Sequence, residues 1–266
     1  MSRIKRFLSR SLNYTLSFSG NGNTLKVPVI NNVGRANLDI HEEHMRAVLQ
    51  RLYTPGTLLV DVGANIGQTL IKYALLAGPD CRYVGFEPNL KAAACVDEII
   101  IRNALAGASV IPVGLGAGKG MTELLMASAG STDPAASINP LIRDSSFYAA
   151  RKIVAVTDGD SALAELGIGA GPIIIKIDVE GGEVDVIQGF ARVLADLRPS
   201  VIMEILPPAN FANAVNDYRM QRAEELRNMM ASCQFTMFSI GVDGEIGAGT
   251  PTADYLFVPN ERAQDF

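Results

Sequence analysis

The pattern of apolar and polar residues predicts buried strands that alternate with amphipathic helices. Leu58 to Val62 is apolar apart from Asp61, which is typical of a strand buried on both faces. A glycine turn from Gly63 to Gly67 follows, and the chain then enters the helical pattern Gln68 to Leu76. In open α/β sheets, such a strand, turn and helix offer backbone N–H groups and a helix N-terminus to a ligand. We therefore predict a ligand site at the end of this strand.

The residues at this strand end indicate what kind of ligand is bound. From Asp61 the spacing is Asp-x-Gly-x-Asn-x-Gly, which lacks the middle glycine of the dinucleotide fingerprint and so disfavours a pyrophosphate. A carboxylate at this position repels phosphate and attracts an ammonium group. The next apolar run, Tyr83 to Phe86, is followed by Glu87, which is placed to accept hydrogen bonds from two ribose hydroxyls.

A third group of acidic residues follows later strands. The most apolar run, residues 172–178, must be a central strand, and it leads into Asp178 and Glu180. The next strand along the chain ends at Glu204. Lys176 lies two residues before Asp178 and therefore points to the same side of the strand. Because an unpaired buried ammonium is costly, we predict a carboxylate partner for Lys176.

Three blocks of this sequence resemble the signature blocks of the FkbM-type S-adenosylmethionine-dependent methyltransferases. They are Val60 to Gly67, Gly85 to Pro88 and Lys176 to Glu183, in the order of the family and at plausible separations. The resemblance extends from about Glu42 to Ile205. It implies an α/β fold of the class I methyltransferase (Rossmann-like) type, with a seven-stranded, mostly parallel sheet, helices on both faces and an antiparallel C-terminal edge hairpin.

The resemblance also implies S-adenosylmethionine as the methyl donor and an oxygen atom of a small molecule or sugar as the usual acceptor. We expect the donor to be bound by Glu42, Asp61, Gly63, Ala64, Asn65, Gly67, Glu87, Pro88, Leu115 and Asp178. Asp178 is expected close to the methyl group, with Glu180 or Glu204 as the base or as the group that orients the acceptor hydroxyl.

Three alternatives to O-methylation remain open on the sequence. A methyltransferase that acts on nitrogen or on a protein side chain would use the same cofactor site. An NAD-dependent oxidoreductase is disfavoured by the missing glycine and by the second carboxylate, Glu87. A protein that binds the cofactor without catalysis would give Asp178, Glu180 and Glu204 no reactive role. We predict no metal, because the possible ligands in residues 41–44 are not joined by a third ligand cluster.

Length and pattern predict one methyltransferase domain with an appended N-terminal part. The chain has 266 residues, 48% of them apolar, which is enough for one sizeable α/β domain. We assign residues 1–40 to a basic amphipathic arm followed by a β-hairpin within 16–30, and residues 41–266 to the methyltransferase domain. The polar stretch 127–151 has the least regular pattern, and we assign acceptor binding to it, a surface excursion being the alternative.

Composition limits the partners that the protein can have. The net charge of −5 argues against an extended nucleic-acid footprint. No apolar run approaches the roughly 20 residues of a membrane helix, so no integral membrane segment is expected. Three cysteines without metal spacing indicate reduced thiols in a cytoplasmic protein. The expected partner is a small-molecule or carbohydrate acceptor. We expect the arm to be solvated or to pack in a homodimer, a membrane-surface anchor being the alternative.

Overall fold

A computed structural model describes residues 13–39, 42–128, 132–169, 171–207 and 214–266 of the chain. The predicted arm, residues 1–13, lies outside the described residues except for Asn13, and so does His41. None of the helices in the described part of the chain has the length and apolar character needed to cross a membrane.

Twelve strands and seven α-helices make up the described structure. The strands are β1 (Tyr14–Gly20), β2 (Asn23–Val29), β3 (Leu58–Val62), β4 (Arg82–Phe86), β5 (Ala108–Ile111), β6 (Gly114–Gly116), β7 (Gly120–Met126), β8 (Ala150–Asp158), β9 (Ile173–Ile177), β10 (Ser200–Glu204), β11 (Phe235–Gly241) and β12 (Pro251–Pro259). The helices are α1 (Glu43–Leu52), α2 (Gln68–Ala77), α3 (Leu90–Arg102), α4 (Gly159–Glu165), α5 (Glu183–Gly189), α6 (Ala191–Asp196) and α7 (Ala214–Ser232).

Seven of the strands form the main sheet, in the order β11-β12-β10-β9-β3-β4-β5. The pairings of β10 with β9, β9 with β3, β3 with β4 and β4 with β5 are parallel. Only β12 runs the opposite way, and it pairs with both β10 and β11. This order and the terminal antiparallel hairpin confirm the class I methyltransferase fold. Within that hairpin β11 is the edge strand, and β12 lies inside the sheet.

Helices cover both faces of the main sheet, as the sequence predicts. On one face, α1, α2 and α3 pack their apolar residues against inward-facing side chains such as Leu59, Ile174 and Ile202. On the other face, α4, α5, α6 and α7 pack against residues such as Val60, Ile175 and Met203. Alternate residues of each central strand therefore enter two separate cores, which explains the continuous apolar runs in the sequence.

Two smaller sheets flank the main one. The predicted hairpin is present as β1 and β2, which are joined by Asn21 and Gly22 with φ of 50° and 78°. Two positive φ values in a two-residue loop are typical of the turn that matches strand twist. Leu25 and Val27 of β2 enter the core under α2 and α3. The other sheet has the order β6-β8-β7, and it closes one side of the cleft described below.

Candidate active site

A cleft lies at the carboxyl ends of β3, β4 and β9, and it encloses about 600 Å³ of space that is partly open to solvent. Six of the predicted donor-binding residues line it: Gly63, Asn65, Glu87, Pro88, Leu115 and Asp178. Glu180, one of the predicted catalytic residues, also lines it. The segment predicted for acceptor binding contributes Asp133, Pro134, Ala136 and Ile138. Glu42, Asp61, Ala64, Gly67 and Glu204 are not part of this lining.

Gly63 allows the first turn to cross closely over the chain at Asp178. Its φ is +85°, and a Cβ atom added there would lie 1.8 Å from the backbone carbonyl oxygen of Asp178. No side chain can be accommodated at that distance. This close crossing brings the turn after β3 and the acidic segment after β9 to the same cleft.

Four backbone N–H groups of this turn donate hydrogen bonds within the protein, which differs from the expectation that they face a ligand. The amides of Gly63 and Ala64 donate to the carbonyl oxygen of Phe86, at 2.9 Å and 3.1 Å. The amide of Gly67 donates to the carbonyl oxygen of Ala64 at 2.9 Å, and the Asn65 amide donates to the Glu87 carboxylate at 2.8 Å. The turn therefore acts by holding Glu87 in place.

Both carboxylate oxygens of Glu87 are fixed by backbone amides. Oε2 accepts from Asn65, and Oε1 accepts from the Asn89 amide at 2.7 Å. Burial raises the pKa of Glu87 to about 7, although these two hydrogen bonds act in the opposite direction. Each oxygen has a further lone pair, so a carboxylate held in this way can still accept from two neighbouring hydroxyls.

Asp61 lies inside the sheet, beneath the cleft. It is fully buried, and its Oδ2 accepts a 2.8 Å hydrogen bond from the Tyr83 hydroxyl. Gly85, its neighbour on β4, makes room for that hydroxyl, since a Cβ there would lie 2.6 Å from it. Oδ1 of Asp61 has no hydrogen-bond partner within the described residues. Burial raises the pKa of Asp61, while the Lys176 charge and the Tyr83 hydrogen bond counteract that rise.

Lys176 has the carboxylate partner that the sequence predicts. Its Nζ donates to Oδ2 of Asp178 at 2.8 Å, and it also lies next to Asp61 across the β3 and β9 ladder. The nearby charges of Asp178 and Asp61 outweigh burial and raise the pKa of Lys176, so the ammonium stays charged. Burial opposes ionisation of Asp178, but the charge of Lys176 and a hydrogen bond from Glu204 lower its pKa.

Glu204 is the proton-bearing member of a carboxyl pair with Asp178. Burial, the charge of Asp178 and the hydrogen bond between the two groups raise the pKa of Glu204 to about 9. At neutral pH the pair therefore holds one proton, which lies on Glu204. Such a pair can donate one hydrogen bond and accept others.

Glu180 stands at the far end of the cleft in a left-handed conformation, with φ of +55°. Its carboxylate accepts a hydrogen bond from Nη2 of Arg143, and burial raises its pKa to about 7 against the lowering effect of Arg143. Ser137 Oγ donates to its carbonyl oxygen at 2.7 Å, and Asn139 Nδ2 donates to the carbonyl oxygen of Gly181 at 2.7 Å. An uncommon backbone conformation that is held from several sides is typical of a functional position.

Asp178, Glu180 and Glu204 converge, as the sequence predicts. One carboxylate oxygen from each lies within 4.8 Å of the others, and no other group of three potential metal ligands is this close in the described part of the chain. The Lys176 ammonium and the proton on Glu204 already offset part of their charge. The prediction that no metal is bound stays a prediction.

Besides the pair of Arg143 with Glu180, two ion pairs around this site were not predicted. Lys72, almost fully buried on α2, donates to Glu42 at 2.6 Å, and the Glu42 side chain is half exposed. A lysine within the apolar run of α2 was the available signal, the same one that predicted a partner for Lys176. His44 on α1 lies 2.8 Å from Asp254, which is the neighbour of Glu204 across the β10 and β12 ladder.

The main sheet has the class I strand order, and an acid-lined cleft lies between the carboxyl ends of β3 and β9. Together these features are typical of a Rossmann-like methyltransferase. Residues 61–237 match the family model described as the methyltransferase FkbM domain. The chain therefore belongs to the FkbM family of S-adenosylmethionine-dependent methyltransferases, which confirms the expectation from the three sequence blocks.

Solved structures of methyltransferases resemble this chain distantly. An FkbM methyltransferase from Methylobacillus flagellatus KT is 15% identical, with a TM-score of 0.47 over 79% of this chain and 47% of that chain. An O-methyltransferase from Bacillus cereus, in complex with SAH, is 12% identical, with a TM-score of 0.45 over 82% of this chain and 80% of that one. The O-methyltransferase TomG from Streptomyces achromogenes, in complex with SAM, is 14% identical, with a TM-score of 0.44 over 84% and 89% of the two chains. No curated protein matches the sequence.

Proposed function

We propose that this protein transfers a methyl group from S-adenosylmethionine to a hydroxyl oxygen of a small molecule or sugar. The observation that carries the proposal is the convergence of Asp178, Glu180 and Glu204, one carboxylate oxygen of each lying within 4.8 Å of the others. Asp178 and Glu180 line the cleft that also holds Glu87. A hydroxyl is a poor nucleophile until a base removes its proton, and these carboxyl groups are suited to accept and position that proton.

The residues of the cleft fit the proposed donor. Glu87 would accept from the two ribose hydroxyls, because both of its oxygens are already oriented by amides. Pro88 and Leu115 would contact the adenine, with Gly63 and Asn65 along the adenosyl group. Asp61 and Glu42 do not line the cleft and would act on the positively charged methionine end through their charge rather than by contact. Ala64 and Gly67 would act through the shape of the turn.

The three carboxyl groups would have different roles in the reaction. S-adenosylmethionine, when bound, would supply a methyl group carried on a positively charged sulfur, which would keep the electron pair of the broken bond as the acceptor oxygen bonds to the methyl group. Glu180 would take the hydroxyl proton, because it lines the cleft and has a pKa of about 7. Asp178 and Glu204 would orient the hydroxyl, one as a carboxylate and the other as a carboxylic acid.

We also assign the acceptor side of the cleft to the segment 127–151. Four of its residues line the cleft, and three of its side chains bind the turn at 180–181. Within this assignment, residues 41–266 are the methyltransferase domain, and residues 1–40 are the appended arm and hairpin.

The variant Glu180→Gln tests the base. We expect it to bind S-adenosylmethionine and S-adenosylhomocysteine as the wild type does, and to lower methyl transfer to a panel of hydroxyl compounds by about a hundredfold or more. Calorimetry measures binding, and release of S-adenosylhomocysteine measures transfer. Glu123→Gln on β7, an exposed acid paired with Arg151, is the matched control. Unchanged transfer in Glu180→Gln would contradict the assignment, and stabilisation by NAD alone would contradict the donor.

A further inference from the structure

Two arginines surround Glu180, and only one of them has a carboxylate partner. Arg143 donates to Glu180 through Nη2. Arg219 on α7 donates through Nε to the Ile142 carbonyl at 2.9 Å and through Nη1 to the Pro207 carbonyl at 3.4 Å, and it forms no ion pair with any described residue. The residues outside the described ranges contain no Asp or Glu. Arg219 therefore shares the charge of Glu180 with Arg143 and has no ion-paired carboxylate of its own among the described side chains.

Arg143 is held rigidly and keeps an unused donor. Its guanidinium carbon lies 5.0 Å above the centre of the Phe147 ring, and Phe147 in turn packs edge-on against Tyr148 at 5.4 Å. Its Nη1 is buried and has no hydrogen-bond partner among the described residues. An unsatisfied buried donor on a charged group costs more than one on a neutral group, so an acceptor at this point would stabilise the site.

The two arginines also act on each other. Burial lowers the pKa of Arg219 and the charge of Arg143 lowers it further, while the charge of Glu180 acts in the opposite direction. Glu180, the carboxylate they share, has a pKa raised to about 7, so its negative charge is only partly present at neutral pH. An additional anion between the arginines would relieve their mutual repulsion.

This cluster adjoins the place where methyl transfer is proposed. Glu180 lines the same cleft as Asp178 and Glu87, and Arg143 belongs to the segment that forms the acceptor side. Neither arginine lines that cleft, and Arg219 lines a separate, smaller pocket with Ile142 and Gly181, the residue after Glu180. An anionic group bound by the arginines would thus reach the cleft past Glu180, the carboxyl group that receives the hydroxyl proton.

We propose that Arg143 and Arg219 form an anion-binding subsite, and that the methyl acceptor is a hydroxyl compound carrying a carboxylate or phosphate group. The identification of the anion as part of the acceptor rests on the proposed function. Planar guanidinium groups suit both kinds of anion, because they donate two parallel hydrogen bonds.

Calorimetric titration of the full chain saturated with S-adenosylhomocysteine tests the subsite. The probes are glucuronate, glucose 6-phosphate and glucose, which share a ring and differ in their acidic group, all at one low ionic strength. We expect at least one of the two anions to bind about tenfold or more tightly than glucose. The stronger of the two identifies the acidic group as carboxylate or phosphate.

Variants of Arg219 connect this preference to the subsite. We expect Arg219→Gln to lose the preference and Arg219→Lys to keep part of it, while Arg227→Gln, an exposed arginine on the same helix, keeps all of it. Thermal unfolding of each variant separates lost binding from lost folding. Equal binding of all three probes, no binding of either anion, or the same preference in Arg219→Gln and Arg227→Gln would overturn the inference. If the proposed function is wrong but the subsite exists, Glu180→Gln transfers methyl groups at the wild-type rate, while the wild type still binds the anions more tightly than glucose.

Discussion

Replacing Lys176 by methionine tests whether the buried charges beneath the cleft are held by one another. Lys176 is 6% exposed, and its ammonium lies 2.8 Å from Asp178 and next to Asp61 on the adjoining strand. The variant Lys176→Met keeps most of the side-chain volume and removes the charge. It leaves the fully buried Asp61 and the partly buried Asp178, whose side chain is 33% exposed, without their nearest positive neighbour.

The expected cost follows from the burial of the pair. Removing one member of a buried ion pair typically costs about 3–5 kcal/mol, because the other charge remains buried and uncompensated. Here the cost is limited by protonation, since Asp178 without Lys176 has a raised pKa and can bind a proton. Each pH unit below that raised pKa then lowers the cost by about 1.4 kcal/mol, until the pH reaches the unfolded-state pKa of about 3.9.

The difference in unfolding free energy between wild type and Lys176→Met should therefore be largest near pH 8 and smaller at pH 5. In the wild type the pKa of Asp178 is lowered, so its contribution is present above about pH 3.9 and stays nearly constant over this range. Urea unfolding at both pH values measures the difference. Lys119→Met, which removes an exposed pair with Glu165, is the control and should cost less than about 1 kcal/mol at either pH. A loss in Lys176→Met below about 1 kcal/mol at pH 8, or one equal at pH 5 and pH 8, would refute the reasoning.

Two further outcomes are expected. Gly63→Ala should lower the free energy of unfolding by at least about 4 kcal/mol or prevent folding, because its Cβ would overlap the Asp178 carbonyl. Gly118→Ala is the control, since a Cβ there enters open space. Thermal unfolding of both variants measures the difference, and similar stabilities would contradict the prediction. Asp254→Asn should lower the free energy of unfolding more at pH 6 than at pH 9, the difference being about 1 kcal/mol or less. The hydrogen bond to Asp254 raises the pKa of His44, and the pair stabilises the fold only while His44 is charged. The same urea assay measures it, and a cost that rises with pH would count against the pair.

The sequence predicts that the acidic residues lie close together, because the carboxyl ends of parallel strands lie at the same edge of a sheet. Glu87, Asp178 and Glu204 each follow an apolar run, so their approach requires only that the runs be parallel neighbours. The partner of Lys176 could be predicted for a similar reason, since alternation along a strand places Asp178 on the same side.

Other features depend on contacts that no local pattern encodes. The amides of Gly63 and Ala64 bond to Phe86 because the turn lies over the end of β4, and this is set by packing rather than by the glycine spacing. Arg143 lies in a stretch without periodicity, and its partner is 37 residues away in the chain. Its role beside Glu180 could therefore not be derived from spacing alone.

The insertion of β12 between β10 and β11 has a consequence for how the chain folds. Strand β11 is synthesised first but has no place beside β10, because β12 occupies that position in the finished sheet. Until residues 251–259 leave the ribosome, β10 keeps an open edge, and Glu204 lacks Asp254 as its neighbour. A nascent chain that ends before β12 would thus contain most of the donor cleft. It would also expose the unpaired edge of β10, next to Glu204, where another chain could add a strand.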